Sequence, residues 1–218
     1  MTTLIETIPQ QPSRAVASYN FIEFANNQGL ANLYLSDTDS TFGTQATILT
    51  SNSSILSEIG YINVQDGGTA IDKDFDLTVL RPFNSGNLCY FNIPLLIVAS
   101  GATSIGDDLT LTVRKVSGAT ETNLGSKVIS ITLASLGGGD HDYRLNGTIS
   151  IPNHTHFKIG DKIRFTMAFG PVAHANTVTY FFGTDPADRG GTSLGLTSTQ
   201  FINGARSTLL FPIKLDIL

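Results

Sequence analysis

Covalent chemistry would first be sought at Ser193, the centre of the run Gly191-Thr192-Ser193-Leu194-Gly195. This run matches G-x-S-x-G, the hydrolase pattern that sets a serine hydroxyl on a strand-to-helix turn. Hydrolases of that type carry an acid and then a histidine after the serine, whereas the last histidine here is His174. The serine also lies in a Gly-rich stretch of a chain whose other patterns are those of strands. We therefore expect a chance match, because short motifs without their structural context mostly are.

Metal binding would have to rely on histidines. His154 and His156 are two residues apart, so on a strand they would share one face, and His141 lies between two aspartates. A third ligand, such as His174, would have to come from elsewhere in the fold. Two histidines without cysteines are weak ligand sets, and we expect an exposed polar turn at residues 153–156. The sequence therefore predicts no metal and no cofactor.

Aspartates at 72, 74 and 76 have the spacing that opens a calcium-binding EF-hand loop. That loop needs Gly at its sixth position and Glu at its twelfth, where this chain has Leu77 and Phe83. The EF-hand is therefore excluded. We expect Asp74 and Asp76 to form the solvent face of a strand.

The element that organises the chain is the apolar run Leu88–Ser100, which alternates as a β-strand does. Its second half is apolar on both faces, which predicts a central strand that is covered on both sides. Pro94 cannot donate to a ladder, so we expect a bulge or a change of neighbouring strand there. Cys89 lies inside this run, and we expect a buried thiol and no disulfide.

Alternating segments recur along the rest of the chain, and Gly-rich turns separate them. They predict strands over residues 19–25, 30–36, 61–64, 73–79, 109–114, 129–133, 143–151, 162–169, 176–182 and 209–217. Residues 37–53 predict a loop with at most a short strand at 46–50. A single helical turn is expected at 54–59. The pattern predicts an all-β fold: an antiparallel, jelly-roll-like sandwich of two sheets with about ten strands, as one domain over 19–218.

The charge balance limits the partners. The net charge is −5, only 14% of residues are charged, and no basic cluster occurs. Nucleic-acid binding and binding to an anionic membrane both draw on clustered Lys and Arg, so we predict neither. No run is apolar enough to span a bilayer, and the N-terminus does not have the pattern of a signal peptide.

Two segments could serve recognition. Residues 1–18 predict an extended arm, which is either a free terminus or a segment that docks on a neighbouring subunit through Leu4, Ile5 and Ile8. Residues 183–198 predict a long loop, in which Asp185, Asp188 and Arg189 could form a binding surface.

Three stretches carry a resemblance to a known family: FDLTVLRPF…LCYFNIPLLIVAS at 75–100, HFKIGDKIRFTMAF at 156–169 and STLLFPIKLDIL at 207–218. Together with the non-basic arm, they resemble jelly-roll or β-sandwich structural proteins of tailed bacteriophages and related viruses. The resemblance implies a non-enzymatic virion component, a capsid decoration, cement or minor capsid protein. It further implies a homo-oligomer, commonly a trimer, that binds the major capsid protein or other virion proteins after assembly in the host cytoplasm.

Two alternatives stay open. A carbohydrate- or receptor-binding sandwich, as in a phage tail or fibre, would use Tyr61 or Tyr180 with the loop at 183–198. A hydrolase would use Ser193 as its nucleophile.

Overall fold

The chain forms strands throughout the parts that can be described. A computed structural model describes residues 17–18, 28–38, 46–55, 60–189 and 204–214. These residues contain fourteen strands and no helix, which confirms the all-β prediction. The strands are β1 (Ala17–Ser18), β2 (Gln28–Thr38), β3 (Ala46–Thr50), β4 (Tyr61–Gln65), β5 (Ile71–Thr78), β6 (Phe83–Ser85), β7 (Leu88–Ala99), β8 (Thr103–Ser117), β9 (Thr120–Leu136), β10 (Gly139–Ser150), β11 (His156–Phe157), β12 (Lys162–Phe169), β13 (Val178–Gly183) and β14 (Thr208–Lys214).

Hydrogen bonds connect the strands in the order β4-β13-β7-β14-β2-β3-β5-β12-β8-β9, and β10 lies along the other edge of β7. The neighbouring strands are antiparallel except β3 and β5, which run parallel and meet at Ile48 and Asp76. The sheet is therefore mixed, and the prediction of purely antiparallel pairing is wrong at this position. Parallel neighbours need a long crossover between them. Here the chain between β3 and β5 includes β4.

Strand β7 is central, as predicted. Along its whole length one edge pairs with β10. The other edge pairs with β14 at Tyr90–Asn92 and with β13 at Leu95–Ala99. Pro94 lies between these two partners, so the predicted change of neighbour is confirmed. Cys89 is fully buried, as predicted, and burial raises the pKa of its thiol.

Strand β12 supplies one wall of the core. Its alternate residues, Ile163, Phe165, Met167 and Phe169, are all buried. The ring of Phe169 lies 4.9 Å from that of Tyr180 and 5.4 Å from that of Phe182, measured between centroids. Because β12 and β13 are not neighbours in the sheet, these contacts run across the core.

Several predictions concern residues outside the described ranges. They are the docking arm with Leu4, Ile5 and Ile8, the strand at 19–25, most of the helical turn at 54–59, Ser193 and the last four residues. Ala17–Ser18 is described and pairs with Leu30–Ala31 of β2. None of the described segments is a helix that could cross a membrane.

Candidate functional site

Four titratable side chains meet at one end of the sheet, and we call them the His174 cluster. His174 lies in the connector from β12 to β13, residues 170–177. Its Nδ1 lies 2.6 Å from Oδ1 of Asp66, and its Nε2 lies 2.9 Å from Oδ2 of Asp107. The hydroxyl of Tyr180 donates a hydrogen bond to the same oxygen of Asp107.

Strand alternation brings two of these residues into the interior. Asp107 follows Ile105 and precedes Leu109 on the inward-facing side of β8, where both neighbours are buried. Tyr180 stands between Val178 and Phe182 on the inward-facing side of β13 and is fully buried. The polar ends of both side chains therefore depend on partners inside the protein.

Asp66 holds the connector in place at several points. Its backbone N–H donates to the carbonyl of Val178, and its Oδ2 accepts from the N–H of Val178, both at 3.0 Å. The adjacent Gly67 N–H donates to the carbonyl of Val172 at 3.1 Å. Together with the bond to His174, these contacts close the connector over the end of the core.

The surroundings of His174 favour the protonated form of its ring. Only 5% of its side chain is exposed, and burial by itself would lower its pKa. Hydrogen bonds and negative charge from Asp66 and Asp107 outweigh burial, so the pKa is raised above the ordinary 6.5. Both ring nitrogens face carboxylate oxygens, and only the doubly protonated ring can donate to both.

This geometry limits the chemistry of the cluster. Because both ring nitrogens of His174 lie against carboxylates, neither is placed to accept a proton from a substrate. Burial and the charge of Asp107 raise the pKa of Tyr180, which keeps its phenol protonated. Within the described part of the chain, no serine, threonine or cysteine hydrogen-bonds His174.

The second candidate site is centred on Arg164 of β12, on the outer face of the sheet. Its Nε and Nη2 form a bidentate pair with Asp76 of β5, at 2.7 and 2.8 Å. Its Nη1 reaches Asp74 at 2.9 Å and Glu121 of β9 at 2.5 Å. The predicted outward face of Asp74 and Asp76 is present, and cations of neighbouring strands occupy it.

The charges around Arg164 shift the pKa of Asp76. Burial would raise it, but hydrogen bonds and positive charge from Arg164 and Lys162 outweigh burial and lower it. A cavity of about 340 Å³ adjoins this group, between the β8–β9 turn and the turn before β12. Glu121, Lys162 and Arg164 line it.

The predicted binding loop is described only up to residue 189. Asp185 is fully buried, and its carboxylate accepts hydrogen bonds from the backbone N–H and Nε of Arg189 at 2.8 and 2.9 Å. Asp188 adopts a positive φ of 61° and accepts from the N–H of Arg206 at 3.0 Å. The structure therefore brings Asp185 and Arg189 together as an ion pair, and a binding role for this loop stays a prediction.

The predicted histidine pair does not converge on one point. Nδ1 of His156 lies 3.1 Å from Oδ1 of Asn84, whereas Nε2 of His154 lies 3.3 Å from Nζ of Lys214. His141 contacts the carbonyl of Gly137. Across the described ranges, no group of three or more His, Cys, Asp or Glu residues has the arrangement of a metal site.

From the sequence, His174 was a candidate third metal ligand, and Tyr180 was a candidate for a groove or for core packing. Asp66 and Asp107 were not predicted as their partners. One signal was available for Asp107, which is an ionisable residue at an inward position of an apolar strand. Asp66 lies in a turn, and nothing local sets it apart.

The chain is similar in fold to several solved structures. No family model and no curated protein matches the chain. An α-amino acid ester hydrolase matches with a TM-score of 0.52 and 11% identity, over 84% of this chain and 36% of that one. An aminopeptidase from the marine sediment archaeon Thaumarchaeota archaeon matches with a TM-score of 0.53 and 8% identity, over 87% and 37%. A CocE/NonD family hydrolase from Staphylococcus aureus matches with a TM-score of 0.49 and 12% identity, over 87% and 37%.

At these identities the likeness concerns the fold, and this chain spans little more than a third of the length of the enzymes. The two reported structures with TM-scores above 0.5 are an α-amino acid ester hydrolase and an aminopeptidase, which contradicts the prediction of a non-enzymatic virion protein. The error has a physical cause: two-residue alternation determines a β-sheet, and the same sheet serves unrelated functions. The trimer, the partners and the place of assembly that accompanied that hypothesis stay predictions.

Proposed function

We propose that this chain is the β-sheet part of a hydrolase that cleaves ester or amide bonds beside an α-amino group. The supporting observation is the fold likeness, over 84% and 87% of this chain, to an α-amino acid ester hydrolase and an aminopeptidase. The names of these two enzymes describe one substrate feature, a free amino group next to the acyl carbon that is attacked. We carry that feature over as the substrate class.

We also infer that the sheet folds into two facing layers, in a jelly-roll-like sandwich. Phe169 of β12 packs on Tyr180 of β13, and Asp107 of β8 accepts a hydrogen bond from the same tyrosine. In the order of hydrogen-bonded strands, β8 and β12 lie far from β13. Contacts of this kind are those expected between two packed layers.

Ser193 is the nucleophile candidate that this proposal tests, against the expectation that its motif is a chance match because no histidine follows it. No serine, threonine or cysteine among the described residues hydrogen-bonds His174, and both ring nitrogens lie against carboxylates. Gly191–Gly195 matches the hydrolase nucleophile pattern, with Ser193 at its centre. Because the match with both enzymes covers little more than a third of their length, the base can also come from further polypeptide.

The experiment is a hydrolysis assay with leucine methyl ester and leucine p-nitroanilide. Methyl 4-methylpentanoate, which lacks the amino group, is the matched control substrate. The full chain is assayed alone and as an affinity-tagged preparation from its native cells with its bound proteins. We expect turnover of the amino compounds in at least one preparation and its loss in Ser193→Ala, but not in Ser135→Ala, an exposed serine of β9. Absence of turnover in both preparations would reject the proposal.

A further inference from the structure

We propose that the cavity beside Arg164 binds a free α-amino acid or the ends of a short peptide. In this proposal Glu121 binds the ammonium group and Lys162 binds the carboxylate. The cavity has a volume of about 340 Å³, which lies at the small end of the range of ligand pockets, roughly 300–1,000 Å³. A single amino acid or a dipeptide suits this size.

The cavity borders an ionic lattice, of which Glu121, Lys162 and Arg164 line it. The three cations of this lattice are Arg114, Lys162 and Arg164, and its three anions are Asp74, Asp76 and Glu121. Three positive and three negative charges cancel, so the lattice has no net charge to favour an anion or a cation. It offers both signs at defined positions, and a zwitterion complements such a site.

Two groups of this lattice keep hydrogen-bonding capacity on the solvent side. The side chains of Glu121 and Lys162 are 44% and 43% exposed, and both line the cavity. Glu121 binds Arg164 through Oε1, while Oε2 lies 4.0 Å from Nε of Arg114, beyond hydrogen-bond length. Lys162 donates to Asp76 at 3.1 Å, and its ammonium has two further N–H groups.

Arg164 keeps Glu121 and the strands around Lys162 in place before a ligand arrives. Its guanidinium is bonded to Asp74, Asp76 and Glu121 together, so these side chains have little rotamer freedom left to lose. Binding to pre-organised groups costs less conformational entropy than binding to free side chains. This is why we assign recognition to the exposed atoms of the lattice and not to Arg164 itself.

An apolar rim selects among amino acids. Val116 and Ala119 line the cavity. An aliphatic ligand side chain that packs against these two residues would be partly shielded from water. The expected ligand is therefore leucine or isoleucine, or a peptide that ends in one.

This inference stands on the charges and the cavity, and it does not require the proposed hydrolase function. Turnover and ligand binding are separate measurements, so either proposal can fail while the other holds.

The experiment is a titration of the full chain, labelled with ¹⁵N, with three compounds of one shape. Leucine has both charges, leucinamide has only the ammonium, and 4-methylpentanoate has only the carboxylate. With leucine, we expect the amide chemical shifts of Val116, Glu121 and Lys162 to change until the site is saturated. The two single-charge compounds should bind more weakly.

Matched variants separate the two roles. Glu121→Gln should weaken the binding of leucine and of leucinamide about fivefold and leave the binding of 4-methylpentanoate unchanged. Lys162→Met should weaken the binding of leucine and of 4-methylpentanoate by a similar factor. Asp72→Asn and Lys127→Met, two exposed positions away from the cavity lining, should bind like the original chain. Thermal melting checks that each variant folds. Absence of saturation with leucine, or equal weakening in the two control variants, would overturn the proposal.

Discussion

The carboxylate of Asp66 lies 2.6 Å from Nδ1 of His174, although 108 residues separate the two in sequence. This bond ties the turn after β4 to the connector between β12 and β13. Asp107 contacts the other ring nitrogen, so one buried histidine ring bridges two carboxylates. The cluster is therefore a clamp on the connector, and the first two predictions address it.

Replacing His174 by Phe should destabilise the protein by about 3 kcal/mol, because it leaves the carboxylates of Asp66 and Asp107 facing each other without a cation. The free energy of unfolding from urea titration measures this. His141→Phe serves as the control, since His141 contacts only a nearby carbonyl in a solvent-accessible turn. Equal losses in the two variants would show that the clamp contributes nothing specific.

The same histidine should make stability fall as the pH rises. Its pKa is raised in the folded protein, so its stabilising contribution is complete below the unfolded value of 6.5 and is lost as the pH passes the folded value. Thermal midpoints measured from pH 6 upwards should decline, and the decline should be smaller in His174→Gln. An unchanged slope in that variant would assign the pH dependence to other groups.

Asp161 should govern stability in acid. The backbone N–H of Lys158, the hydroxyl of Ser117 and the ammonium of Lys115 all bond its carboxylate, and they lower its pKa to about 2. Its contribution is present above the ordinary value of 3.8 and is lost as the pH falls towards 2. Asp161→Asn should cost about 2 kcal/mol at neutral pH and should flatten the acid limb of the stability curve.

The matched control for Asp161 is Asp108→Asn, since Asp108 bonds only the hydroxyl of Ser130 at an exposed site. Urea titrations at pH 7 and pH 3 compare the two variants. If Asp161→Asn lost as much stability at pH 3 as at pH 7, the assigned pKa would be wrong.

Gly125 should not tolerate a side chain. It lies at the bulge where β8 and β9 change register, and a Cβ there would come within 2.1 Å of the carbonyl oxygen of Ser150. Gly125→Ala should therefore cost about 1–3 kcal/mol, because the backbone has to shift. Gly106→Ala is the control, because open space surrounds its Cβ position. Thermal melting should separate the two variants, and equal midpoints would contradict the close approach.

Two-residue alternation made much of the fold predictable. It is a local property, so β5, β7, β12 and the inward side of each could be assigned from apolar periodicity alone. Pro94 marked the change of partner along β7 because a missing N–H is also a local property. The candidate sites were not predictable in this way. The aspartates at 74 and 76 were assigned to the solvent face, but the cations that bind them come from β8 and β12.

By itself, the sequence determined that the chain is all-β, which residues of the main strands point inward, and that Cys89 is buried. Only the tertiary structure decided that β3 and β5 run parallel, that Arg164 gathers three carboxylates, and that His174 bridges Asp66 and Asp107. The physical reason is distance along the chain. Alternation acts between adjacent residues, whereas these contacts join residues that become neighbours only after the register of several strands is set.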